Sequence, residues 1–215
     1  MPEDWDGIIS RKINRKFSRP ISNFLAKHRF LTPNQVTFLS FLIALSSPLL
    51  FLYKYPLFAG LLAQISSIVD GVDGELARLM RKKSSFGAFF DSTLDRYADV
   101  AIILGMVYYS LFFENFSLAF SFGIFAIVGA VLVSYTSAAA NLAFKKKYNR
   151  YKEGIIAYAA SRDARLFIVF IGSLFTLFYS QAITVTLIVL AVLTNFIVIL
   201  RIMFYKSKFS SPTLV

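Results

Sequence analysis

The sequence contains no cysteine and a single histidine, His28. Without thiols there is no disulfide framework, no thiolate metal site and no cysteine nucleophile, and one imidazole cannot build a poly-histidine centre. Any metal must therefore be held by carboxylates. Charge is scarce as well: 16% of the 215 residues are charged and 57% are hydrophobic, whereas soluble domains carry about a quarter charged residues. At about 20 residues per bilayer span, this composition implies an integral membrane protein of six spans with no room for a second soluble domain. Acids are the scarcer sign, 12 against 23 Lys and Arg, for a net charge of +11. Such an excess suits nucleic acid, anionic lipid headgroups or a phosphate-bearing substrate, and no nucleic-acid-binding motif is found.

The position of the charges discriminates among these. Six apolar segments are predicted, over 33–53, 57–80, 86–113, 118–143, 163–180 and 182–205. All Lys and Arg except Lys54 and Arg96 fall before the first segment, in the second and fourth connections with their flanks, or at the end of the last. The positive-inside rule then places both termini, and those two connections, in the cytoplasm. Residues 1–31 lack the uninterrupted apolar run and cleavage site of a signal peptide, so the mature chain is expected to start here. Trp5, Ile8, Ile9, Ile13 and Phe17 alternate with Arg11, Lys12, Arg15, Lys16 and Arg19 at helical spacing, which predicts a basic amphipathic helix on the cytoplasmic membrane surface. Pro20 is expected to interrupt it, with Ile21, Phe24 and Leu25 opening a second short piece. Thr32 and Pro33 suit the cap and first position of a long helix. The expected organisation is thus a juxtamembrane segment, 1–31, an all-α membrane domain, 32–205, and a cytoplasmic tail, 206–215.

The informative stretch runs from Asp70 to Asp95. Asp70, Asp73, Gly74, Ala77 and Arg78 are spaced so as to share one helical face, and so are Gly87, Asp91 and Asp95. If the second and third spans form an antiparallel hairpin turning near Lys82 and Lys83, residues at equal depth have numbers with a nearly constant sum. Asp70 then faces Asp95, and Asp73 faces Asp91. With ~1.5 Å of rise per residue, the four would lie roughly 10 to 20 Å inside the cytoplasmic surface as one cluster. An ionised Asp near a bilayer centre costs at least ~2.5 to 3.5 kcal/mol, and four together repel one another. Arg78 and Arg96 offset at most two charges. One or two hard divalent cations in an all-oxygen site, Mg²⁺ best and Mn²⁺ next, balance the rest. Gly74, Ala77 and Gly87 lie in register with the acids. Such small residues serve either close helix packing or the approach of a bound group.

The pattern Asp70-x-x-Asp73-Gly74-x-x-Ala77-Arg78-x(8)-Gly87-x-x-x-Asp91-x-x-x-Asp95 resembles the signature of the CDP-alcohol phosphotransferase family at every fixed position, and Thr32-Pro33-Asn34-Gln35-Val36-Thr37 resembles the family's lead into its first span. The resemblance implies a six-helix membrane enzyme, commonly a homodimer, that moves a substituted phosphate from a CDP-activated alcohol to an acceptor alcohol and releases CMP. By matching positions, Asp70, Asp73, Asp91 and Asp95 are implied metal ligands. Asp95 is also implied as the general base. Asp73, Gly74, Ala77, Arg78 and Gly87 are implied contacts of the CDP moiety. The amphipathic start resembles the segment by which some members join a cytidylyltransferase domain, so such a partner is an expectation too.

A second cluster is basic. Lys145, Arg162, Arg165 and Arg201 are expected around the cytoplasmic mouth, where guanidinium groups would bind an acceptor phosphate bidentately. Members of archaeal type that use inositol phosphate place basic residues in this region. Phosphatidylinositol-phosphate-type members usually carry Lys and Arg in a Ser-Tyr-x-Lys-Ala-Arg-like stretch, where this chain reads Ser134-Tyr135-Thr136-Ser137-Ala138-Ala139. The donor is thus open between a CDP-linked lipid and CDP-inositol, and the product between a phospholipid and a soluble di-inositol phosphate. Topology and attraction to anionic lipid account for the lysine run equally well. Asp99 is read as a partner of Arg96 or as support for Asp95, and His28 as an interfacial side chain. Two alternatives remain: an Asp-rich intramembrane prenyltransferase, which has a longer architecture with two separate acidic motifs, and a divalent-cation transporter, which usually shows repeated halves with interrupted helices.

Overall fold

The computed structural model describes residues 9–144 and 156–209, and among these every regular element is helical. A π-helical turn, Ser10–Asn14, leads into α1 (Arg15–His28). Then come α2 (Pro33–Leu52), α3 (Pro56–Leu79), α4 (Ser85–Phe112), α5 (Ala119–Phe144), the one-turn α6 (Ile156–Ala159), α7 (Arg162–Phe175) and α8 (Ala182–Phe209). The six apolar segments thus correspond to α2 to α5, α7 and α8. Of these, α2, α3, α5 and α8 are long and apolar enough to cross a membrane. α4 falls short because its first four turns carry Asp91, Asp95, Arg96 and Asp99. α7, at 14 residues, rises only ~21 Å, less than the ~30 Å hydrocarbon thickness. α8 continues past the boundary expected at 205, so Lys206 and Lys208 lie on its last turn.

Local chemistry explains the helix starts. Thr32 is extended and its backbone N–H donates to Oε1 of Gln35 at 2.8 Å, a capping box with Pro33 in the first turn. Ser84 Oγ accepts from the Gly87 N–H at 3.0 Å and caps α4. Glu114 caps α8 from a distance, accepting from the N–H groups of Ile183 at 3.1 Å and Thr184 at 2.7 Å.

Two expectations are corrected. Pro20 does not interrupt the N-terminal helix, since α1 runs through it. The expected hairpin of the second and third spans is not a packed pair. α3 packs on α2, α7 and α1, and α4 packs on α2, α5 and α8, while α3 and α4 make few close approaches to each other. Their acidic faces look at one another across a gap bordered by the other helices. The core beneath is built of small and branched residues, among them Ala44, Ala59, Ala63, Ala98, Ile102, Met106, Ala126 and Leu187, which let helix axes approach closely. Gly105 takes this furthest, where a β-carbon would lie 2.7 Å from the Cα of Pro48.

α1 packs on α3 through a polar face. Arg15, Ser18 and Ser22 are buried, whereas Phe17, Ile21 and Phe24 point away from the bundle.

Candidate active site

The acids converge at the gap between α3 and α4. Carboxylate oxygens of Asp70, Asp91 and Asp95 lie within 4.8 Å of one another. Asp73, expected as a fourth member, stands one helical turn along α3 and is held by the Thr37 hydroxyl of α2, which donates to its Oδ2. The structure thus gathers three of the four predicted aspartates into a ligand-like group.

The fit to a hard cation is testable on these atoms. Oxygens on one octahedral Mg²⁺ at ~2.0 to 2.1 Å are ~2.9 Å apart as neighbours and ~4.2 Å apart only when opposite, so the trio has to draw in around the ion. Asp70 Oδ1 and Asp91 Oδ1 are buried and have no hydrogen-bond partner. Buried carboxylate oxygens are rarely left so, and an all-oxygen donor set without nitrogen or sulfur suits Mg²⁺ or Mn²⁺. The residues fit the ion.

Arg162 of α7 supplies the nearest positive charge. Its Nη1 lies 2.9 Å from both Asp70 Oδ2 and Asp95 Oδ1, and its Nε 3.5 Å from Asp99. Arg165, one turn on, pairs with Asp99 at 2.5 Å and donates to the Ala160 carbonyl at 2.6 Å. Asp99 therefore joins the two α7 arginines and makes no ion pair with Arg96, which reaches Asp95 at 3.4 Å instead. Arg201 of α8 is buried and donates to the Val133 carbonyl at 2.6 Å and to Thr136 Oγ1 at 2.9 Å. Lys145 lies outside the described residues.

Two cavities border this cluster. One, of about 280 Å³, is lined by Asp73, Gly74, Ala77, Arg78, Gly87 and Asp91, together with Asn34, Thr37, Lys82, Lys83 and Ser84. Every residue expected to touch CDP is on its wall. A β-carbon at Gly74 would find nothing nearer than Arg78 Nη1 at 3.8 Å, so the missing side chain leaves cavity space rather than permitting helix contact. At Gly87 a β-carbon would crowd Ser84 Oγ at 3.1 Å and Asn34 Oδ1 at 3.2 Å, so there glycine serves packing. The other cavity, of about 420 Å³, is lined by Asp70, Asp95, Arg162, Arg165 and Arg201, with Ser67, Ser134, Ser137 and Asn141. The three described basic residues expected at an acceptor phosphate thus share one chamber with Asp95.

Comparison with known proteins settles the lineage. Residues 30–197 match the CDP-alcohol phosphatidyltransferase family. The chain belongs to this family. It is 36% identical over 207 residues to the bifunctional IPC transferase and DIPP synthase of Thermococcus kodakarensis, covering 96% of this chain and 46% of that protein. It is 35% identical over 146 residues to the archaetidylinositol phosphate synthase of Pyrococcus horikoshii, covering 67% of this chain and 70% of that protein. The chain spans less than half the length of the bifunctional relatives. The family fold is recovered in the crystal structure of Mycobacterium tuberculosis phosphatidylinositol phosphate synthase with CDP-DAG bound, with a TM-score of 0.75 and 23% identity over 93% of this chain and 99% of that one. The same mycobacterial enzyme has been solved with manganese and citrate.

Sequence reasoning did not find the Thr37 tether, the Glu75 pairing with Arg15 and Ser22, or the polar wall of Ser67, Ser134, Ser137 and Asn141. All depend on helices distant in sequence. Only Arg15, Ser18 and Ser22 carried a signal, since their offsets of three and seven place them on one face of α1.

Proposed function

We propose that this chain is the membrane half of an enzyme that transfers a substituted phosphate from a CDP-alcohol to an acceptor alcohol that itself carries a phosphate, inositol phosphate by the names of its relatives. The observation that carries the reading is that one acid cluster is bordered by two cavities, a glycine-bearing one suited to a nucleotide diphosphate and an arginine-lined one suited to an anionic polyol. The donor's diphosphate would lie along Gly74 and Ala77 with Arg78, Lys82 and Lys83 near its charge. The acceptor's phosphate would face Arg162, Arg165 and Arg201, which leaves its free hydroxyl towards Asp95.

The acceptor hydroxyl oxygen bonds to the phosphorus that bears the donor alcohol, the bond from that phosphorus to the CMP oxygen breaks, and the hydroxyl proton passes to the Asp95 carboxylate. Asp70, Asp91 and Asp95, with Asp73 held by Thr37, would hold one or two Mg²⁺ or Mn²⁺ ions. Such ions neutralise the diphosphate and stabilise the departing CMP. Arg162, fixed between Asp70 and Asp95, keeps the acceptor side of the cluster in register with the donor side. This bridging makes Arg162 a positioning residue in addition to its expected place at the acceptor phosphate.

The reading includes six spans, with α4 burying its charged half in the site and α7 crossing as a short helix, both termini in the cytoplasm, and α1 lying at the interface with Phe17, Ile21 and Phe24 towards lipid. A homodimer, and a cytidylyltransferase partner occupying the length that the bifunctional relatives have in addition, belong to it as well.

The test is CMP release by the purified protein with Mg²⁺, offering CDP-diacylglycerol, CDP-archaeol and CDP-inositol against inositol phosphate, glycerol phosphate and serine. CMP release with inositol phosphate, and its loss in Asp95→Asn with CDP binding retained, is the expected result. No CMP under any combination, or robust turnover by Asp95→Asn, would overturn the function or the base assignment respectively.

A further inference from the structure

The larger cavity has a wall that the long helices do not supply. Ser10, Asn14 and Arg15, from the π-helical turn and the start of α1, line it opposite Ser134, Ser137 and Asn141 of α5. This short stretch is fastened at both ends. The Ser10 N–H donates to Asp163 Oδ2 at 2.7 Å, and Asp163 is the neighbour of Arg162 in the first turn of α7. At the other end Arg15 pairs with Glu75 and donates to the Gly71 carbonyl at 3.3 Å, one residue beyond Asp70. Between them Asn14 donates to Ser67 Oγ at 3.0 Å and accepts from Gln64 Nε2 at 2.9 Å. Arg11 lies over the Tyr158 ring, 5.2 Å from its centroid. Ser10–Arg15 therefore bridges α3 and α7, the helices that carry Asp70 and Arg162.

Its anchoring exceeds what a surface helix needs. Asn14 is 2% exposed, Glu75 7% and Arg15 9%, and bonds to ionised partners away from water are the strong ones. A π-helical turn is itself uncommon and is met frequently at functional sites. None of Ser10 to Arg15 lines the smaller cavity beside Gly74. A polyhydroxylated ring needs hydrogen-bonding groups on both faces. α5 offers one set, and Ser67 with Asn14 offers the other.

Building on the two-substrate reading above, we propose that Ser10–Arg15 is the acceptor-recognition wall of the site, with Asp163 and Glu75 as the positioning residues that hold it in place. It selects a hydroxyl-rich acceptor and leaves donor binding alone.

Asp163→Ala frees the α7 anchor, whereas Asp163→Asn keeps an oxygen that can accept from Ser10. The expected result is a rise of about tenfold in acceptor KM for Asp163→Ala, near-complete rescue by Asp163→Asn, and unchanged donor KM and Mn²⁺ affinity. Asn14→Ala, with both anchors intact, should raise acceptor KM in the same selective way, and serves if Asp163→Ala fails to fold. Because the chain has no native cysteine, Ser134→Cys on the opposite wall gives a readout that needs no turnover. Its modification by a water-soluble maleimide should speed up about tenfold when Asp163→Ala, which frees the wall, is added. Unchanged labelling, or donor and acceptor KM moving together, overturns the wall. If no substrate pair releases CMP, the proposed function fails, and the labelling rates alone decide this inference.

Discussion

At the residue scale, the site depends on side chains that hold the acids as much as on the acids. Asp73 is buried and turned by the Thr37 hydroxyl, a bond to a carboxylate of the kind worth ~1.5 to 3 kcal/mol. Thr37→Val keeps the shape and removes the donor, so turnover should fall about tenfold or more while the fold persists. Unchanged kcat and donor KM in that variant would show that the tether is idle. The aspartates were legible because their spacing along two helices is local information. Thr37 was not, because nothing in its neighbourhood shows that the start of α2 meets the last two turns of α3. The same holds for Arg162. Its charge was visible in the sequence and suggested a phosphate, but its ion pairs with Asp70, Asp95 and Asp99 come from the packing of α7 on α3.

At the element scale, equal-depth reasoning placed Asp70 with Asp95, although the hairpin behind it is not a packed pair. Depth follows from where each chain segment enters the bilayer, whereas packing follows from which small residues face which neighbour. α3 uses Gly60 and Ala63 against other helices and turns Asp70, Asp73, Gly74, Ala77 and Arg78 to the cavities at the gap. A β-carbon at Gly60 would run into the Ser173 side chain and lie 3.2 Å from the Cα of Phe170, backbone that cannot yield. Gly60→Val should therefore push α7 from α3, cost about 1 to 3 kcal/mol, and lower the melting midpoint in detergent. An unaltered melting curve would mean that the α3–α7 contact tolerates separation. The orientation of α1 shows the limit of pattern reading. Trp5 and Ile8 of the expected apolar stripe lie outside the described residues, and Arg15, expected on the outward basic face, is instead buried against Glu75.

At the scale of the whole molecule, charge placement and composition made the membrane class and the acidic centre readable from one sequence. The two cavities were not readable, since each is walled by residues from several helices. The expected topology is testable on a cysteine-free chain: in inside-out vesicles Lys82→Cys should be modified by an impermeant reagent and Lys54→Cys should not. Labelling of Lys54→Cys from the cytoplasmic side would reverse or break the assignment of spans. The central claim is that Asp70, Asp91 and Asp95 form one divalent-cation site, and the most direct measurement is an electron paramagnetic resonance titration of the purified protein with Mn²⁺. The expected result is saturable binding that Mg²⁺ displaces and that Asp70→Asn and Asp91→Asn each abolish, with the variants still folded. Binding that survives both substitutions, or no binding by the unaltered protein, would contradict it.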